Sequence, residues 1–290
     1  MRANHISYPT IALLTGASLW GVIWFPMREL RDRGLGGLWL TLLMFGVALV
    51  VSLPRTARSL PDFRSHPGSL GLLMLAAGWT NIAFVEAVLD GNILRVLLLF
   101  YLSPVWQTLL GWLILRERPS RMGLASLLIA MIGAVVMLYD PKSGLPWPSG
   151  AADWYALSSG FAFAVSNVIT RRTQGVSVEA KALAVWAGVV VLALAMIGAF
   201  NVSPPTVHVP IYLGGVALGV FGILVMTLLV QYGVTHMPVY RSAVLSLIEI
   251  VAGAVVQQLF TDEVVLLHEW IGGIMIVTAA WLAARASQAK

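Results

Sequence analysis

Cysteine is absent from this 290-residue chain, and only 11% of its residues are charged. The first absence excludes disulfides and thiolate metal sites and leaves the redox compartment open. The second excludes an ordinary soluble domain, which covers its surface with about 25% charged residues. Paired catalytic side chains are missing too. The five histidines, at 5, 66, 208, 236 and 268, fall in loops or at the edges of apolar runs, and His268-Glu269 has no second His four residues on, as a zinc hydrolase would require. No Ser/His or paired-Asp set stands at a common depth. An enzyme is therefore not expected, nor is a metal or other cofactor. A channel would need repeated filter residues, and none are found. A receptor or scaffold remains open, because its ligand pocket would look like a carrier's.

What the chain does have is apolar length: 59% of it is hydrophobic and its mean hydropathy is +0.86. The apolar residues fall in ten blocks: Tyr8–Met27, Leu35–Leu53, Leu70–Leu89, Ile93–Leu115, Met122–Leu138, Trp154–Thr170, Ala182–Phe200, Ile211–Val230, Val239–Phe260 and Leu267–Ala284. Blocks of this length cross about 30 Å of hydrocarbon as helix, and their continuous apolarity does not fit the alternation of a barrel strand. The expectation is an all-α integral membrane protein with ten transmembrane helices. The opening 27 residues read as the first span and not as a removable leader. The net charge of +5 does not point to nucleic acid, because the basic residues sit in short loops where they orient helices. With the N-terminus inside, twelve Lys and Arg fall on the cytoplasmic side and four on the other (Arg28, Arg31, Arg33 and Lys142), which places both termini in the cytoplasm.

The chain repeats itself. Arg95 precedes Glu117 by 22 residues, and Arg241 precedes Glu263 by 22. Laying the fourth block on the ninth puts Ser103 opposite Glu249 and Pro104 opposite Ile250. Ala17–Phe25 similarly lies over Gly160–Val168, with Trp24 over Asn167. The halves are 1–140 and 148–290. Five spans each is an odd number, so the second half is inverted relative to the first, an architecture that carriers use around a central site.

Trp20 and Trp24, at i and i+4, share one face of the first span. Trp79, Tyr101 and Phe163, with Phe100 and Trp106, could join them around a cavity suited to flat apolar groups and to cations; the competing reading makes such rings an interfacial belt. Deep polar residues are few. Asn81, Asn167 and Glu249 are the candidates for a substrate's polar head, against a role in helix packing. Glu249 is the one carboxylate near the middle of a span. Arg95 and Arg241, within a turn of span starts, could snorkel to water or reach Glu86 or Asp90, and read as gating residues. Pro104 reads as a hinge.

Trp20-Gly21, Asn167 with Arg171, Ser103-Pro104 followed by Glu117 and Gly123, and Glu249 followed by Glu263 and Gly272 resemble the drug/metabolite transporter superfamily in its EamA family. Within that family the tryptophan-rich first, third and fourth spans are most similar to YddG-type aromatic amino acid exporters. One departure is Ile250, where the family has proline, which leaves no proline to kink the ninth span. The resemblance implies an inner-membrane, multi-pass exporter of small amphiphilic metabolites, aromatic amino acids first, working by alternating access. The alternatives are a multidrug or lipophilic-cation exporter of the same fold, or a non-transporting receptor. The expected partners are a small-molecule substrate and the lipid bilayer, with no need for an oligomer.

Overall fold

In hydrocarbon a backbone must satisfy its own hydrogen bonds, so long apolar runs of Leu, Val, Ala and Ile become helices. The computed structural model follows this rule throughout. It describes residues 7–90, 93–139, 148–260 and 265–285, without the side chains of 57, 88–90, 93 and 94. Glu263 and Lys142, used in the sequence reading, lie outside the described residues, and so does the side chain of Asp90.

The helices are α1 (Tyr8–Asp32), α2 (Gly37–Thr56), α3 (Leu60–Ser65), α4 (Pro67–Asp90), α5 (Ile93–Phe100), α6 (Ser103–Leu115), α7 (Arg121–Leu138), α8 (Ala151–Arg172), α9 (Val178–Ala199), α10 (Val209–Ala217), α11 (Val225–Thr235), α12 (Val239–Ser246), α13 (Ile248–Phe260) and α14 (Leu267–Arg285). A π turn, Leu218–Leu224, joins α10 to α11. Nine spans among the described residues are long and apolar enough to cross a membrane. The expected sixth span is the exception. It forms α8 at full length, 22 residues, but carries Asp153, Ser159, Ser166, Asn167 and Thr170 on its buried side. Half of its residues are buried against other helices, while Trp154 and Phe161 stay exposed on the opposite face.

Contacts between helices exchange in pairs. α4 lies on α8 as α1 lies on α11. α4 meets α9 as α2 meets the π turn, and α8 packs on α5 and α6 as α1 packs on α12 and α13. The pairs α7–α14 and α2–α9 map onto themselves, whereas α6 packs on α12 without an equally packed α5–α13 pair. A two-fold relation between halves produces this pattern. Small residues close the seams: Gly133 and Gly272 each abut the other's carbonyl, and Gly188 abuts that of Met74. The largest core cluster centres on α2, α9 and α11, with Trp186, Met44, Ile223 and Met226 buried.

Candidate functional site

The fourth and ninth spans are both broken, at corresponding places. In the fourth, α5 stops at Phe100 and α6 begins at Ser103. Pro104 has no N–H to give the Phe100 carbonyl, and the chain tightens to three-residue bonds, Leu102 N to Leu99 O at 3.4 Å and Val105 N to Leu102 O at 3.0 Å. In the ninth, Leu247 N bonds Val244 O at 3.3 Å and Ile250 N bonds Leu247 O at 3.1 Å. No proline is involved: the ninth span breaks between Ser246 and Ile248 although Ile250 stands where the family has proline. Two serines take its place. Ser242 Oγ donates to Val239 O at 3.0 Å and Ser246 Oγ to Ser242 O at 2.9 Å, and such back-bonding bends helices.

Each break receives a glycine from a neighbouring helix. Gly160 of α8 sits where an added Cβ would lie 2.6 Å from the Phe100 carbonyl that Pro104 releases, and Gly21 of α1 sits closer still on the Glu249 carbonyl. Side chains thereby converge. The Tyr101 hydroxyl faces the Glu249 carboxyl. Phe100 lies 5.3 Å from Tyr101, 5.7 Å from Phe163 and 4.9 Å from Phe84, ring centre to ring centre. Trp24 runs along the next turn of α13, its Nε1 3.6 Å from where a Cβ of Gly253 would be. Among the described residues Glu249 has no ion-pair partner.

Other sequence candidates go elsewhere. Trp20 is part-buried against the large core cluster. Trp79 is 37% exposed; it donates to Ser158 at 3.2 Å and faces Tyr155, which precedes Phe163 by eight residues, about 12 Å of helix. Asn81 Nδ2 donates to Ala77 O of its own helix at 2.9 Å. Asn167 is buried and donates to Gln107 Oε1 at 3.0 Å.

Ionic clusters stand at the two ends of α8. Where α8 ends, Glu117 accepts from Arg171 Nε and from Val239 N, both at 2.7 Å. Arg171 also donates to Thr235 O at 2.9 Å, and the fully buried Lys181 donates to Thr235 Oγ1 at 2.9 Å. Arg241 does not snorkel. It is 6% exposed and donates to Thr10 Oγ1 at 2.8 Å and Ala284 O at 3.0 Å. Where α8 begins, Arg95 pairs with Asp153 at 3.1 Å and donates to Ser149 at 3.0 Å, a cross-helix partnership the sequence reading did not name. The signal was present in the sequence, because Thr10 and Asp153 are related by the same offset of 143 that lays Ala17 on Gly160.

Two similar halves, broken central helices and an acidic-aromatic centre define a multi-pass membrane protein of transporter fold, seated in the inner membrane. The chain belongs to the EamA-like transporter family, whose model matches it twice, over residues 8–139 and 150–285. Protein RarD of Salmonella typhimurium (strain LT2) is 27% identical over 168 residues, 57% of this chain and 53% of that protein. Protein RarD of Salmonella typhi is 27% identical over 140 residues, 47% and 44% of the two chains. These matches span about half the length of the relatives. A crystal structure of another protein superposes with a TM-score of 0.81 at 20% identity over 97% of each chain, a likeness of fold alone.

Proposed function

We propose that this chain exports small amphiphilic metabolites, aromatic amino acids above all, by alternating access between two inverted five-span halves, 1–140 and 148–290, with α8 as the tenth crossing and both termini cytoplasmic. The observation that carries the reading is the Glu249–Tyr101 pair, set where both central helices break and bordered by Phe100, Phe163 and Trp24. A carboxylate without a cationic partner suits the amino group of a solute, and the rings suit its apolar body through stacking and cation–π contact. Broken central helices let either end of the site open. The Glu117–Arg171 cluster then closes the cytoplasmic end and Arg95–Asp153 the opposite one; Arg95 and Arg241 act as gate residues and Pro104 as a hinge. A large polyanion is disfavoured, since the site offers an acid and not a cluster of bases.

Because a lone acid beside aromatic rings also suits a lipophilic cation, that substrate class is the second reading. Uptake into proteoliposomes holding only this protein separates them. Labelled phenylalanine, tryptophan, alanine and tetraphenylphosphonium are compared with and without a pH gradient. Phenylalanine and tryptophan are expected to move, and truncating Trp24 and Phe163 to Ala is expected to weaken them by about 1 kcal/mol or more per ring. Trp20→Ala, on the core side, should act through packing. Transport indifferent to Trp20, Trp24 and Phe163 together would remove the aromatic site, and uptake of the cation alone would favour the second reading.

A further inference from the structure

Two neighbouring buried donors on the fourth span, Trp106 Nε1 and Gln107 Nε2, lack an acceptor among the described residues. Gln107 is fully buried. Its Oε1 accepts from Asn167 Nδ2 at 3.0 Å, while its Nε2 has no partner among the described residues. One turn further toward the end of α8, Thr170 Oγ1 donates to Gln231 Oε1 at 2.9 Å. An amide N–H held away from water without an acceptor is unfavourable, more so at membrane depth. A side chain serving only to fill space there would do better as Leu or Met. Asn167 holds the Gln107 oxygen and so fixes which end of the amide is left over.

We propose that Gln107 Nε2 is the subsite for the carboxylate of the transported solute. The inference rests on the proposed function and narrows it to zwitterions over simple cations. Its chemistry is that of a neutral donor pair, which two carboxylate oxygens accept without a buried counter-charge, so the solute can also leave. Its position fits. Gln107 follows Tyr101 by six residues, about 9 Å of rise, and Asn167 follows Phe163 by one turn. A ring lodged by Phe100 and Phe163 therefore carries an amino group toward Glu249 and a carboxylate toward Gln107. A lipophilic cation has nothing to offer this donor.

The test compares phenylalanine with 2-phenylethylamine, which keeps the ring and the amine and lacks the carboxylate. Transport of both is measured in proteoliposomes with wild-type protein, Gln107→Met and Gln107→Glu. Losing a hydrogen bond to a charged group predicts a rise of about ten-fold or more in KM for phenylalanine in Gln107→Met, with phenylethylamine changed by less than about two-fold. Gln107→Glu keeps the size and the acceptor for Asn167, so it repeats the comparison without altered packing; it should harm phenylalanine further and spare the amine. Gln107→Met also takes away the acceptor of buried Asn167 Nδ2, so its thermal midpoint should fall modestly, whereas Gln107→Glu keeps that acceptor and separates the two effects. Equal losses for both solutes would make Gln107 a packing residue and overturn the subsite. No loss for either would leave the donor to an ordered water and overturn it as well. Wild-type protein that carries phenylethylamine alone rejects the subsite while keeping a cation carrier, and wild-type protein that carries neither rejects the proposed function itself.

Discussion

Glu117 ties three elements together with one carboxylate. Its two oxygens accept from Arg171 on α8 and from the first backbone N–H of α12, each at 2.7 Å. Arg116 takes a left-handed conformation, φ 58°, to end α6 just before it, which is unfavourable for a residue with a side chain. The pair is mostly buried, at 17% and 18% exposed, so screening by water is limited and its loss is felt. Glu117→Gln keeps an acceptor for Val239 and loses the charge; it should lower stability by about 1–3 kcal/mol. Arg171→Met alone should cost a similar amount. The double variant should cost clearly less than the sum, since neither partner is then left buried alone. Thermal unfolding of the four proteins in detergent reads the coupling, and strict additivity would remove the bridge as a closing element.

The ninth helix shows how one shape can arise from two chemistries. Pro104 breaks the fourth span by withholding a donor; Ser242 and Ser246 break the ninth by competing for carbonyls. A reading that equates kinks with proline finds the first and misses the second. If both breaks act as hinges, Pro104→Ala and the pair Ser242→Ala with Ser246→Ala should each slow transport several-fold while leaving solute affinity within about two-fold. Turnover from uptake and affinity from equilibrium binding give the two numbers. Parallel loss of both, or of neither, would argue against a hinge. The apolar face of each helix was legible from its sequence. The polar face of α8 was not, because whether a helix touches lipid or protein depends on its neighbours.

At the scale of the molecule, orientation rests on the distribution of Lys and Arg, twelve against four. The absence of native cysteine makes single-Cys labelling clean. Arg58 and Ser203 are exposed, whereas Ser59 is buried and a poor reporter. Arg58→Cys should react with an impermeant maleimide only after cytoplasmic access is given, and Ser203→Cys from the outside in intact cells. The reverse pattern would invert the whole arrangement and exchange the two gates.

Nine of the spans and the two-fold repeat were legible in the sequence alone. A helix in lipid must satisfy its own backbone, so its length and apolarity are local properties. Partners were not legible. Tyr101 meets Glu249, Asn167 meets Gln107, 60 residues away, and Arg241 meets Thr10, 231 residues away. Rotation and tilt of each helix against its neighbours choose which side chains face one another, and the glycine seams at Gly21 and Gly160 set how closely the helices approach. Those choices belong to packing between helices. Only the tertiary structure could therefore set Trp24 beside Gly253, one turn after Glu249, and Phe163 against Phe100, while turning Trp79 to Ser158 and Asn81 to its own helix.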